Sequence, residues 1–143
     1  MKGKTHILTP LVLEDVNFQG KIWRHWTEFR AYSKLLEGVI TIPEMTLTDL
    51  ATIPKIVHSI IEKNGPWNAP AAIHDYLYKE QGHVSVWQED LESFKELELT
   101  RAECDEVFLE FMEWTKVPVV TRSTIFRAVR KFGAPFWNGK LKG

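Results

Sequence analysis

The chain has 143 residues, 44% of them hydrophobic and 26% charged, with a formal net charge of −1. That length suits one domain, expected over 1–143, which can bury a core without help from a disulfide or a metal. The near-neutral balance speaks against a protein built wholly around nucleic acid, and the lone cysteine, Cys104, rules out an internal disulfide or a four-cysteine zinc site.

No run of about 18 apolar residues is present, so no membrane span is expected. The opening "MKGKTHILTP" has lysines but no apolar core behind them, unlike a secretory signal. "THILTPLVLED" reads as a first extended segment, and residues 26 to 49 read as strands. Val39-Ile40-Thr41-Ile42 is β-branched throughout, and Glu37-Gly38 supplies a turn before it. Pro54 suits the first turn of a short helix carrying Ile56, Val57, Ile60 and Ile61. Gly65 and Pro66 break the chain. "AAIHDYLYKEQG", residues 71 to 82, is the next helix, ending near Gly82.

Residues 83 to 99 fit two descriptions. Val84, Val86 and Trp87 suit an extended segment, and the acidic "QEDLESFKELEL" suits a surface helix or an excursion. Thr100 to Lys116 is a helix opened by a T-x-x-E capping box, Thr100 with Glu103. Pro118 ends it. Thr121 then caps a last helix with Ile125, Phe126, Val129 and Phe132 on one face, closed by Gly133. The class is α+β: a small antiparallel sheet or hairpin in the N-terminal half, then three or four packed helices.

The chemistry gathers on two of these helices. With residues placed 100° apart, His74 falls between Leu77 and Tyr78 on the packed side. Asp75 sits at the edge of the buried stripe, toward Lys79. On the later helix Glu103, Glu106, Glu110 and Glu113 share a solvated face, while Cys104, Val107, Phe108, Phe111 and Met112 share the apolar one. Asp105 lies near the apolar face. A lone buried carboxylate is costly, so it needs a partner, and His74 is the natural one. Asp49 ends the β-rich run and reads either as a helix-entry cap or as a second carboxylate delivered toward His74 and Asp75. Cys104 reads as a small core residue rather than a nucleophile. His6, His25, His58 and His83 have no acid at helical spacing and receive no role.

Four segments in order, "TDLATIP" (48–54), "AAIHDYLY" (71–78), "RAECDEVF" (101–108) and "IFRAVRKFG" (125–133), resemble a family of small phage and prophage proteins of unknown function. Its members read T-D-x-A-S-I-P, H-D-x-L-Y, A-D-x-x-F and V-R-x-F-G, and the likeness covers roughly 39 to 133. Here Thr52 replaces the usual serine and Cys104 the usual alanine, and extra residues separate the second and third motifs. The resemblance implies a phage origin, in host cytoplasm or virion, and no activity. More loosely, H-D-x-x-Y with a later C-D looks like the catalytic helix pair of secreted phospholipases A2. That likeness implies His74 as a base, Asp105 as its orienting acid, Tyr78 as support, and Asp75, aided by Asp49, as a calcium ligand. Calcium asks for several oxygens, and the glycine-rich loop and disulfides of those enzymes have no counterpart here.

Three functions follow. The first is a hydrolase of an ester, lipid or cell-wall bond, with a metal at Asp75. The second is a non-enzymatic virion or assembly component, or a binder of a host protein, in which the His/Asp cluster fixes helix packing and the surplus tryptophans mark an interface. The third, ranked last, is nucleic-acid binding through Arg122, Arg127, Arg130, Lys131, Lys140 and Lys142. The oligomeric state is not legible in the sequence.

Overall fold

A computed structural model describes residues 3–16, 22–48 and 66–138. Asp49, the short helix expected from Pro54, Lys140 and Lys142 lie outside the described residues.

Two antiparallel sheets come from short strands. Five strands, β1 (His6–Ile7), β4 (Phe29–Ser33), β5 (Gly38–Ile42), β7 (His83–Gln88) and β8 (Ser93–Glu98), align in the order β1-β4-β5-β7-β8. Three more, β2 (Leu13–Asp15), β3 (Trp23–His25) and β6 (Leu47–Thr48), align as β2-β3-β6. The β-branched run of β5 pairs with β4 from Phe29↔Ile42 to Ser33↔Gly38, around a turn in which Glu37 takes φ 53°. Alternation sets the register: Phe29, Ala31 and Ser33 of β4 point inward.

The helices are α1 (Asn68–Lys79), α2 (Arg101–Trp114), α3 (Val119–Phe132) and the short α4 (Ala134–Trp137). The architecture is α+β, as the pattern of the sequence predicts. Gly82 leaves α1 with φ +82°, where a Cβ would sit 2.0 Å from the Leu99 carbonyl oxygen. The Thr100–Glu103 capping box opens α2 as expected, with both reciprocal bonds made.

Four expectations need correction. Val84, Val86 and Trp87 are extended as expected, in β7, but the acidic stretch after them is neither a surface helix nor an excursion: past a 3-10 turn at Glu89–Leu91 it returns as β8, in register from His83↔Glu98 to Gln88↔Ser93. Helix α3 starts at Val119 rather than after a Thr121 cap, because Pro118 is extended and the chain turns helical directly behind it. Phe132 is 45% exposed rather than packed. Glu110 is no solvated glutamate. It accepts from Ser33 Oγ at 2.6 Å, Thr5 Oγ1 at 2.9 Å and the Leu35 N–H at 2.9 Å, tying α2 to the sheet.

The core has two parts. Phe29, Ile40, Ile42, Val86, Ile73, Leu77 and Phe111 belong to one, between the five-stranded sheet and α1 and α2. Ala71, Phe108, Met112, Ile125 and Val129 belong to the other, where α3 packs. Both α1 and α2 contribute to each part, so polar groups between them are sealed from both sides.

Candidate functional site

The site is built around one carboxylate. Asp105 stands in the first turns of α2, one position past Cys104, and is 0% exposed. Its Oδ1 accepts from His74 Nε2 at 2.7 Å and from the Tyr78 hydroxyl at 2.6 Å. His74 and Tyr78 are four residues apart on α1, so one helical turn places both donors on the face that meets α2. Phe108, the next turn of α2, stacks on the imidazole with centroids 4.5 Å apart and 23° between planes. The expected convergence of His74, Tyr78 and Asp105 is therefore present in full.

The other carboxylate oxygen faces two arginines. Arg130 Nη1 donates to Oδ2 at 2.6 Å, and Arg101 Nη1 lies 3.7 Å from it. Arg101 also reaches the Tyr78 oxygen at 3.4 Å and donates to the carbonyls of Val129 and Arg130, both at 3.0 Å. A cation at the C-terminal end of α3 suits the helix dipole; the Val129 carbonyl also accepts the Gly133 N–H at 2.9 Å. Gly133 lets this corner close. A Cβ there would lie 2.4 Å from the Val129 oxygen and 3.0 Å from both Arg101 Nη1 and Tyr78 Oη. Trp137 of α4 meets Tyr78 edge-on at 5.4 Å, and its carbonyl accepts from Gln81.

Sequence reasoning missed the two arginines and Gly133. The sequence offers Arg130 only as one of the basic residues of the nucleic-acid reading. Its stem leaves a partly exposed position, but its head returns to Asp105. The available signals were the i, i+4 spacing of Arg101 and Asp105 and the segment Val129-Arg130-Lys131-Phe132-Gly133.

The electrostatics assign the protons. Burial alone would push the Asp105 carboxyl up, but hydrogen bonds from His74, Tyr78 and Arg130 outweigh it and hold the group below the usual carboxylate range. Asp105 is thus an anion and can only accept. Burial lowers His74 below its ordinary value, more than Asp105 raises it, so the imidazole is neutral with its proton on Nε2. The Tyr78 hydroxyl is raised, by burial first and then by Asp105. Burial, then Asp105, pushes the Cys104 thiol up to about 12, which suits a core residue and not a nucleophile. What remains is His74 Nδ1, a lone pair buried without a hydrogen-bond partner among the described residues.

Asp75 is also brought in, at 3% exposure, but it does not join Asp105. Its Oδ2 lies 3.4 Å from Lys79 Nζ. Among the described residues no three His, Cys, Asp or Glu side chains converge as a metal site. Calcium takes six to eight oxygens, and Asp49, the other carboxylate expected to aid Asp75, lies outside the described residues. His25, given no role above, is 1% exposed, and among the described residues neither of its ring nitrogens is hydrogen-bonded.

The fold and site define a class: an α+β protein with a sealed His–Asp–Tyr–Arg network joining three helices. The chain belongs to the family described as "Protein of unknown function (DUF1353)", whose model matches residues 23–129. No curated protein and no solved structure gives a significant match.

Proposed function

We propose that the chain is a phage-derived hydrolase in which His74 is the general base. One observation carries the reading. Asp105 fixes Nε2–H and leaves Nδ1 as a basic nitrogen with no hydrogen-bond partner among the described residues. In this reading Nδ1 takes a proton from water as the water oxygen attacks an acyl carbon. Asp105 stabilises the imidazolium, and the proton then passes to the leaving group. Tyr78 and Arg130 hold Asp105 in place. The substrate class is an ester, lipid or cell-wall bond. No step is routed through calcium at Asp75. A base that is 0% exposed also requires the site to open for substrate.

The test is hydrolysis of an activated acyl ester, phospholipid vesicles and peptidoglycan by wild type and His74→Gln, with calcium and with chelator. Turnover by wild type that falls at least a hundredfold in a folded His74→Gln protein supports the base. Absence of turnover on all three, or turnover indifferent to His74→Gln, overturns it.

The complete burial of His74 and Asp105 favours a second reading, in which the network only fastens α1, α2 and α3. The protein is then a virion or assembly component, or a host-protein binder. That reading expects stability effects with no turnover.

A further inference from the structure

The outer half of the β7–β8 hairpin makes no contribution to the network. It is an edge: β8 pairs only with β7 among the described residues, and five of its six residues are exposed. Trp87 and Phe94 sit opposite one another in the ladder and meet edge-on at 5.0 Å. Phe94 is 63% exposed and Leu91, at the tip, 68%. Around them stand five carboxylates, Glu89, Asp90, Glu92, Glu96 and Glu98, against the single Lys95. This apolar patch with an acidic rim is the composition of an interface rather than of a solvated loop.

The complementary surface is on the same chain. Helix α3 holds four basic side chains and no acid. Val120, Thr124, Arg127 and Lys131 follow one another at i, i+4, i+7 and i+11, which is one stripe. All four are outside the core, and Val119 and Val120 are 62% and 78% exposed. Arg130 is committed to Asp105, so Arg127 and Lys131 are the outward charges.

We propose that these two surfaces are the halves of one interface between copies of this chain. The acidic, aromatic hairpin of one copy docks on the basic, valine-tipped stripe of α3 in the next. Apolar side chains are available on both halves, and the charges are opposite, which favours this pairing over like-with-like contact. The two patches differ, so the contact is heterologous and joins copies head to tail. The inference does not rest on the hydrolase reading.

The test is the solution mass of the full chain by light scattering across concentration and salt, with two variants. Leu91→Ser/Phe94→Ser removes the hairpin half, and Arg127→Glu/Lys131→Glu reverses the helix half. All four positions are exposed, and a melting curve checks the fold. Wild type is expected to associate at low salt and to dissociate at high salt. Each variant alone is expected to associate at least tenfold more weakly. Mixed together they form a one-to-one dimer, because each keeps one intact half. A second pairing gives the same information by charge: Glu92→Lys/Glu98→Lys is expected to bind the Arg127→Glu/Lys131→Glu chain better than wild type does. A monomeric wild type at every concentration, variants that associate as wild type does, or mixed variants that stay apart overturn the proposal.

Discussion

Replacing Asp105 by Asn tests the network at its centre. The side chain keeps its shape, so packing among Cys104, Phe108 and His74 is little disturbed. Its chemistry cannot be kept. As a carboxylate, Asp105 accepts from His74 and Tyr78 on one oxygen and from Arg130 on the other. An amide offers one acceptor and one donor. Whichever way it turns, its NH2 faces donors: Arg130 Nη1, or His74 Nε2–H and the Tyr78 hydroxyl. The Arg130 side is discounted, because that side chain is 37% exposed and water can replace the bond. The His74 side is not, because both partners are 0% exposed. His74 and Tyr78 are neutral, so no buried charge is stranded; what is lost on this side is a hydrogen bond to a charged acceptor, about 1.5–3 kcal/mol. With an unfolding entropy of about 2.1 cal/mol/K per residue, that corresponds to a fall in Tm of about 5–10 °C for a chain of 143 residues. Arg130→Gln, by contrast, should cost about 1 kcal/mol, since it removes a half-exposed donor while Arg101 stays nearby. Urea unfolding of the three proteins at pH 7 measures both. A loss below about 1 kcal/mol for Asp105→Asn, or equal losses for the two variants, would refute the argument that the sealed half of the network holds the helices.

Gly133→Ala should destabilise by about 1–3 kcal/mol, since a Cβ has no room beside the Val129 carbonyl, Arg101 and Tyr78; thermal melting reads this directly. The φ of −80° there means the cost is contact and not backbone strain. Thr100→Ala removes one arm of the capping box and should cost about 1 kcal/mol in urea unfolding. Stability should also depend on pH through two histidines. His25 is lowered by burial and then by Lys79, and His74 by burial against the pull of Asp105. Below pH 6.5 the unfolded chain binds protons that the folded chain refuses. Stability is therefore full above that value and falls on acidification until the folded pKa values are reached, by up to about 2.7 kcal/mol per pH unit for two protons. His25→Asn should roughly halve the slope between pH 6.5 and 5.5 in urea midpoints. An unchanged slope would mean that His25 titrates normally in the fold.

What the sequence allowed one to see follows from how far a side chain can stray from its backbone position. Asp105 was legible because a carboxylate is short: its place among Cys104, Phe108 and Met112 on the wheel fixes where its oxygens lie. His74 was legible for the same reason. Arg130 was not, since the wheel gives only the direction of its Cβ and a long stem carries the charge elsewhere. Glu110 misled likewise, because a glutamate on a polar face can still meet a sheet that the wheel does not contain. Strand β8 defeated pattern reading for a different reason. As an exposed edge strand, β8 has little apolar alternation to show, and its Glu and Leu content favours a helix on propensity alone. His25 lies in a three-residue strand, where a search for partners at helical spacing has nothing to find.

Three of the four sequence motifs end at the same atom group. H-D-x-L-Y brings His74 and Tyr78, C-D-E-V-F brings Asp105 and Phe108, and V-R-K-F-G brings Arg130 and the space at Gly133. A fastener needs donors around a buried anion, and glutamine at position 74 would supply one with an N–H at similar reach. It would not remove the unpaired polar atom, because the amide buries a carbonyl oxygen and a second N–H where Nδ1 stood and gives up the stacking on Phe108, so the variant should lose about 1–3 kcal/mol on either reading. His74→Gln therefore separates the two readings by turnover and not by melting. If the network only joins helices, the variant loses stability and there is no turnover to lose. If Nδ1 is kept for proton transfer, turnover on the cleaved bond disappears at a temperature where the variant is still folded.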